Sequence, residues 1–294
     1  MDSPLLNPPL QSPGILFDRR LLRARRNRVA ASYSSYAFLK ERISLDLRNR
    51  LEHIRRPFNH ALDLGCHTGQ LSTHLKASTL ISADLSEAMV TLTSSPLKVV
   101  LDEEALPFAP SSLDLIISAL SVQWVNDIPG FLTQVFHCLK PDGLFLASLF
   151  GGDTLIELRE CLENAELEIS GGITPRLSPM LSIQDAGALL QRAGFALPVA
   201  DHERIEVSYP HPLALLKDLR AMGETNALAN RSRSPLTRKV LTRMVELYQK
   251  RYGLKSGRIY ATFDIVTLTG WRPHESQPAP LKRGTAKTRL GDFV

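Results

Sequence analysis

Short apolar runs closed by an acid recur through the first half of the chain, and the stretches between them space their apolar residues for helices. Residues 60–64 predict a short buried strand, Gly65 and Gly69 bracket the turn after it, and residues 70–76 predict the start of a helix. Residues 80–84 predict a second strand ending on Asp84, and residues 98–108 a third that closes on Asp102 and Glu103 before a Leu-Pro-Phe stop. A fourth strand is expected over 113–118. Residues 139–146 then read as a helix end, a Lys-Pro-Asp-Gly turn and a fifth strand. Apolar positions Phe38, Leu39, Ile43, Leu47, Leu51 and Ile54 predict a helix over 35–54 that packs on the sheet. Further helices are expected over 153–168, 182–193, 212–222 and 235–252, and a last strand over 261–270. Strands alternating with helices in this way predict an α/β fold with a doubly wound, mostly parallel sheet and helical insertions.

Composition narrows the class. A chain of 294 residues with 44% hydrophobic content can bury one large core. Its three cysteines, Cys66, Cys138 and Cys161, are widely spaced and read as free thiols. The longest uncharged stretch near the fourth strand, 115–126, is too short to span a bilayer. Residues 1–16 carry no Arg or Lys and contain Pro4, Pro8, Pro9 and Pro13, so neither a signal peptide nor a mitochondrial presequence is expected, and a bacterial cytoplasmic location is. The net charge of +5 is uneven: Arg19, Arg20, Arg23, Arg25, Arg26 and Arg28 crowd one segment, and Lys282, Arg283, Lys287 and Arg289 crowd another. These read as a solvated helix face and a basic tail, or as attraction to an anionic partner or a peripheral membrane surface. No aromatic-basic interleaving accompanies them, so nucleic acid is not expected.

The glycine turn carries the candidate chemistry. A dinucleotide fingerprint counted from Gly65 would need glycine at the positions of His67 and Gln70, and no Walker loop is present. The turn does fit the D-x-G-x-G-x-G pattern of class I S-adenosylmethionine (SAM) methyltransferases at Asp63, Gly65 and Gly69, with His67 as a departure; a tight turn with no ligand is the alternative. Asp84 stands about 20 residues after the turn, where a doubly wound fold places the acid that accepts both ribose hydroxyls.

Residues 60–150 thus resemble the SAM-binding domain of class I methyltransferases, a Rossmann-like fold with a seven-stranded sheet. In that family Asp102 or Glu103 would accept from the adenine amino group. The motifs at 17–19, 121–127, 150–155, 222–227 and 270–277 extend the resemblance to the methyltransferase-fold assembly factors of respiratory complex I, over about residues 15–285. That resemblance implies a protein partner, the complex I subunit that carries the terminal iron-sulfur cluster, modified by arginine hydroxylation, and relatives that work in mitochondria. The malonyl-acyl carrier protein methyltransferases of biotin synthesis share the core and the Gly-x-x-Asn-Ala element; the His-Glu-Ser-Gln segment at 274–277 favours the assembly factors. A catalytically silent scaffold, with His67 occluding the cofactor site, is a third possibility. The expected organisation is a flexible segment at 1–16, basic and amphipathic helices at 17–59, a SAM-binding core at 60–150, the rest of the fold with lid-like insertions around Gly171, Gly172, Pro175 and Pro179 at 151–271, and a basic tail at 272–294. Tyr33 and Tyr36 would lie near where such folds lay an N-terminal helix over SAM.

On the acceptor side, Gln123 and Trp124 follow the fourth strand, at the edge where open α/β sheets bind ligands. Glu224 and Asn226, in a glycine-containing break between helices, are candidates to read a guanidinium. Core packing, and helix-cap or turn roles, are the alternatives for these residues. The eight histidines show no facial-triad spacing, so no metal site is expected. Methyl transfer and hydroxylation both remain open.

Overall fold

The computed structural model describes residues 14–278. The expected flexible start up to residue 13 and the tail cations Lys282, Arg283, Lys287 and Arg289 lie outside the described residues. Seven strands form one sheet: β1 (Phe58–Leu64), β2 (Ala77–Asp84), β3 (Leu97–Val100), β4 (Leu113–Ala119), β5 (Leu139–Phe150), β6 (Ala196–Tyr209) and β7 (Ile259–Trp271), in the order β3-β2-β1-β4-β5-β7-β6. The first five run parallel, and β7 lies antiparallel between β5 and β6. β4 is buried along its whole length, as a parallel strand covered on both faces must be.

One face packs on α2 (Phe38–Glu52), α5 (Ile156–Ser170), α7 (Pro212–Ala221) and α8 (Arg238–Tyr252) through Ile43, Leu47, Leu158, Leu215 and Met244. The other carries α4 (Ile128–Cys138) and α6 (Ile183–Arg192) through Phe131, Val135 and Leu190. Helix α1 (Arg19–Val29), capped by Asp18, and the short α3 (Glu87–Thr91), capped by Ser86, close over the carboxyl ends of β1 to β4. Cys66, Cys138 and Cys161 are buried free thiols, and no helix among the described residues is long and apolar enough to cross a membrane.

Two expectations fail. The helix predicted over 70–76 is one 3-10 turn, Ser72–His74, and β2 starts directly at Ala77. The hydroxyls of Ser72 and Thr73 both donate to the Gly69 carbonyl, at 3.2 and 2.7 Å, offering the backbone an alternative to a helical ladder. A cavity of about 670 Å3 lined by Phe58, Ala61, Leu75, Ala77 and Leu115 remains beside the shortened connection. The Lys-Pro-Asp-Gly turn is instead an irregularity within β5: Leu139 pairs with Leu113 and Leu144 with Leu115, so residues 140–143 bulge out, with Asp142 at φ 63°. Arg272, just past β7, holds that bulge, since Asp142 N–H donates to its carbonyl at 3.0 Å and its own N–H donates to Gly143 O at 2.9 Å.

Candidate functional site

The carboxyl ends of β1 to β4 converge on one cleft. Gly65 (φ 68°) and Gly69 (φ 90°) let the chain turn where a side chain would be strained; a Cβ on Gly65 would stand 2.2 Å from the Ser121 side chain. His67, at φ 50°, takes the left-handed conformation without glycine's freedom. Asp84 is fully buried, and its carboxylate accepts from the backbone N–H of His67 (3.0 Å) and of Ser86 (2.8 Å). Glu103 is fully buried and accepts from Ser121 Oγ at 2.8 Å, while Asp102 is partly exposed. Asp63 lies fully buried beneath the turn, and burial pushes its carboxyl up to about 6 against the pull of Lys40.

Three cations from the N-terminal helices reach these acceptors. Arg26, 1% exposed, lies 3.4 Å from Asp84 and 3.6 Å from Glu103 and donates to Ser121 Oγ at 3.1 Å. Arg19 pairs with Asp102 at 2.7 Å and with Glu103, and it donates to the Trp124 carbonyl at 3.1 Å. Burial alone would raise the Glu103 carboxyl, but Arg19 and Arg26 outweigh it and hold it below its usual value. Lys40, 2% exposed, donates from Nζ to Gly65 O (2.7 Å) and Ala119 O (2.5 Å) and lies 3.1 Å from His67 Nδ1. Burial lowers the pKa of Lys40 despite Asp63 nearby, and it drives that of His67 well below its ordinary value. Tyr33 stacks on the imidazole at 5.1 Å. The expected solvated face of α1 is therefore partly an internal one. Arg19 and Arg26 occupy the strand-end acids with their side chains, while His67 meets Asp84 through its backbone N–H, with its ring Nδ1 3.8 Å away.

Three of the four acceptor candidates, Trp124, Glu224 and Asn226, line a second cavity of about 270 Å3, and Gln123 does not. Phe150, Leu158, Leu162, Leu219 and Phe263 give it an apolar body. Trp124 and Glu224 form its polar end, with the indole Nε1 donating to Glu224 Oε2 at 3.0 Å. Burial raises the Glu224 carboxyl to about 7, against Arg26 and the Trp124 hydrogen bond. Asn226 lines the same cavity, but its amide is engaged: Nδ2 donates to Pro175 O at 2.9 Å and Oδ1 accepts from Leu228 N–H at 3.0 Å. It thereby anchors the 171–182 loop. Gln123 is 5% exposed and sits beside Glu224, whose carboxyl it helps to pull down against burial.

Sequence reasoning missed Arg19, Arg26, Lys40 and Ser121. The signal was present for three of them: 19, 22 and 26 share a helix face with the buried Leu22, and 40, 43, 44 and 47 share the buried face of α2. Among the described residues no group of three or more His, Cys, Asp or Glu is arranged to hold a metal ion.

Comparison with known proteins agrees with this architecture. Residues 62–147 match the family model described as a methyltransferase domain. The arginine-hydroxylase NDUFAF5, mitochondrial, of Rattus norvegicus is 39% identical over 288 residues, covering 95% of this chain and 84% of its own length. The chain belongs to the NDUFAF5 family. The malonyl-[acyl-carrier protein] O-methyltransferase of Gallionella capsiferriformans is 31% identical over 88% of this chain and 92% of its own, so the NDUFAF5 family and these enzymes share one design. Among solved structures, the YcgJ protein from Bacillus subtilis covers 78% of this chain and 98% of its own with a TM-score of 0.53 at 16% identity. The phosphoethanolamine N-methyltransferase 2 of Haemonchus contortus, solved with S-adenosylhomocysteine, covers 86% of this chain and 60% of its own, with a TM-score of 0.52 at 13% identity. Both share the fold, and the seven-stranded sheet is that of the methyltransferases.

Proposed function

We propose that this chain is a SAM-binding enzyme that modifies an arginine side chain of a protein partner, the iron-sulfur subunit of complex I, in the bacterial cytoplasm. The observation that carries the reading is Glu224, a carboxylate held by the Trp124 indole at the polar end of an apolar pocket. Trp124 joins the two halves of the site, because its indole serves Glu224 and its carbonyl accepts from Arg19. An ionised Glu224 supplies the charge-assisted acceptor that a guanidinium needs.

The cleft's acceptors suit the proposed cofactor. Asp84 would accept from a ribose diol, Asp102 or Glu103 from the adenine amine, and the carbonyls of Gly65 and Ala119 from an ammonium, once Arg26, Arg19 and Lys40 withdraw from those same atoms. Asp63 and the two glycines shape the turn beneath it. Bound there, SAM supplies a methyl group activated by its sulfonium. The chain's own part is orientation: Trp124 walls the pocket, Glu224 fixes the acceptor's cation, and the 171–182 loop covers them. Of the expected division of the chain, we retain 17–59 as the covering segment, 60–150 as the cofactor core and 151–271 as the acceptor side.

The test is incubation of the full-length protein with SAM and purified iron-sulfur subunit, followed by mass spectrometry of its peptides and of any SAM-derived product. Modification at an arginine that is lost in Glu224→Ala supports the reading. A methyl ester on a malonyl-carrier, with an unmodified subunit, would move the assignment to carboxyl methylation, which the guanidiniums of Arg176 and Arg220 lining the same pocket favour.

A further inference from the structure

Beside the Glu224 pocket lies a recess of about 370 Å3 lined by Arg25, Arg28, Val29, Arg220 and Thr225. The arginines around it divide into two sets. Arg19 and Arg26 are paired with Asp102, Glu103 and Asp84, Arg231 with Asp18, and Arg176 with Glu166. Arg25, Arg28 and Arg220, the three that line the recess, form no ion pair with a carboxylate among the described residues.

Their positions are set by the fold. Arg25 donates from one nitrogen to the carbonyls of Thr225 (2.7 Å) and Asn226 (2.6 Å), which fixes its charge at the lip of the pocket instead of leaving it to swing in solvent. Burial, Arg231 and Arg28 all work against that charge. Asp18 alone among the nearby acids favours it, and like charges gathered with so little compensation cost free energy that an anionic ligand recovers on binding. The recess and the pocket share Arg220 and Thr225, so a ligand filling both would set negative charge beside the group that Glu224 holds.

We infer that this recess reads acidic residues flanking the target arginine of a protein substrate. The inference rests on the arginine reading above and adds a sequence preference to it. An extended peptide advances about 3.3 Å per residue, so the acids concerned are those within a few positions of the arginine. A membrane or nucleic-acid surface fits less well, because the cations line a recess that shares Arg220 and Thr225 with a cavity of side-chain size.

The probes are fluorescent twelve-residue peptides with one central arginine, flanked by aspartates or by asparagines, together with an aspartate-flanked peptide that has norleucine in place of arginine. Binding is read by anisotropy on the full-length protein and on the double variant R28Q/R220Q, whose two sites are exposed on the surface. The aspartate-flanked arginine peptide should bind about tenfold tighter than the asparagine form, the scale of two or three partly screened ion pairs. The double variant should lose that advantage and bind the two arginine peptides alike. Equal binding of the two arginine peptides by wild type, or no binding of the aspartate-flanked peptide, overturns the inference. Tight binding of the norleucine peptide would leave the acid-reading recess standing and remove the arginine reading, which separates the two failures. Capture on phosphatidylglycerol vesicles that the double variant abolishes, with the peptides indistinguishable, would assign the recess to a lipid surface and overturn the proposal as well.

Discussion

Glu224 makes the acceptor side sensitive to pH. Its carboxyl is raised from 4.5 to about 7 by burial, with Arg26, the Trp124 indole and Lys40 opposing. The folded state therefore holds this proton more tightly than the unfolded chain, and stability attributable to Glu224 falls as pH rises between about 4.5 and about 7. Urea unfolding at about pH 5 and about pH 8 should show Glu224→Gln with a smaller loss of stability between the two than wild type. Guanidinium binding runs the opposite way, strengthening as Glu224 ionises through about 7, and Glu224→Gln should flatten that profile. His67 offers a second single-residue test. Its φ of 50° costs roughly 1 kcal/mol in a non-glycine residue, so His67→Gly should leave S-adenosylhomocysteine affinity intact or improved in a calorimetric titration. A large loss would mean that its imidazole, beside Lys40 and under Tyr33, shapes the cleft. The acids Asp84, Asp102 and Glu103 were legible because each ends an apolar run. Their counter-charges were not, because Arg19, Arg26 and Lys40 arrive from elements distant in sequence and only tertiary packing brings them together.

Helix α1 holds the cleft through charge more than through area. Removing Arg26 strands Asp84 and Glu103 without their partner in a buried site, so Arg26→Ala should lower the unfolding free energy by about 3–5 kcal/mol, measured by denaturant titration. Cofactor must meet the same acids, so S-adenosylhomocysteine should raise amide hydrogen exchange over residues 19–29 in the wild-type protein. Unchanged exchange at saturation would show that α1 stays in place. At this scale most helices were readable from periodicity, within a few residues at their ends. The one that failed, over 70–76, has polar hydroxyls and a glycine where a helix needs an uncontested backbone. Apolar spacing alone does not register that competition.

Across the whole molecule, the described residues after β7, 272–278, are structural before they are anything else. The basic tail expected at 272–294 begins with a residue that the fold uses: the Arg272 side chain donates to the carbonyls of His137 (3.2 Å) and Leu139, hydrogen-bonds Ser111 Oγ at 2.8 Å and lies 5.4 Å from the Phe136 ring centre. Gln277 adds a hydrogen bond to Asp142 at 2.9 Å. Arg272→Ala should therefore lower stability by about 1–3 kcal/mol in thermal or urea unfolding without changing peptide affinity. The strands of the parallel half were legible because each is a separate apolar run, but their order in the sheet was not. Nor was the position of β7 between β5 and β6, since nothing in its own residues says which strands will flank it.

That position also governs the order of events during synthesis. The strand at the centre of the antiparallel half is the last to leave the ribosome, after β6 and the two helices α7 and α8. Until it emerges, β5 and β6 each present an unpaired backbone edge, and apolar residues such as Leu146, Leu149 and Ile205 lack their cover. The nascent chain therefore carries its greatest risk of aggregation between the emergence of β6 and that of β7, and slow translation of the codons between them would lengthen the interval in which a chaperone must shield it.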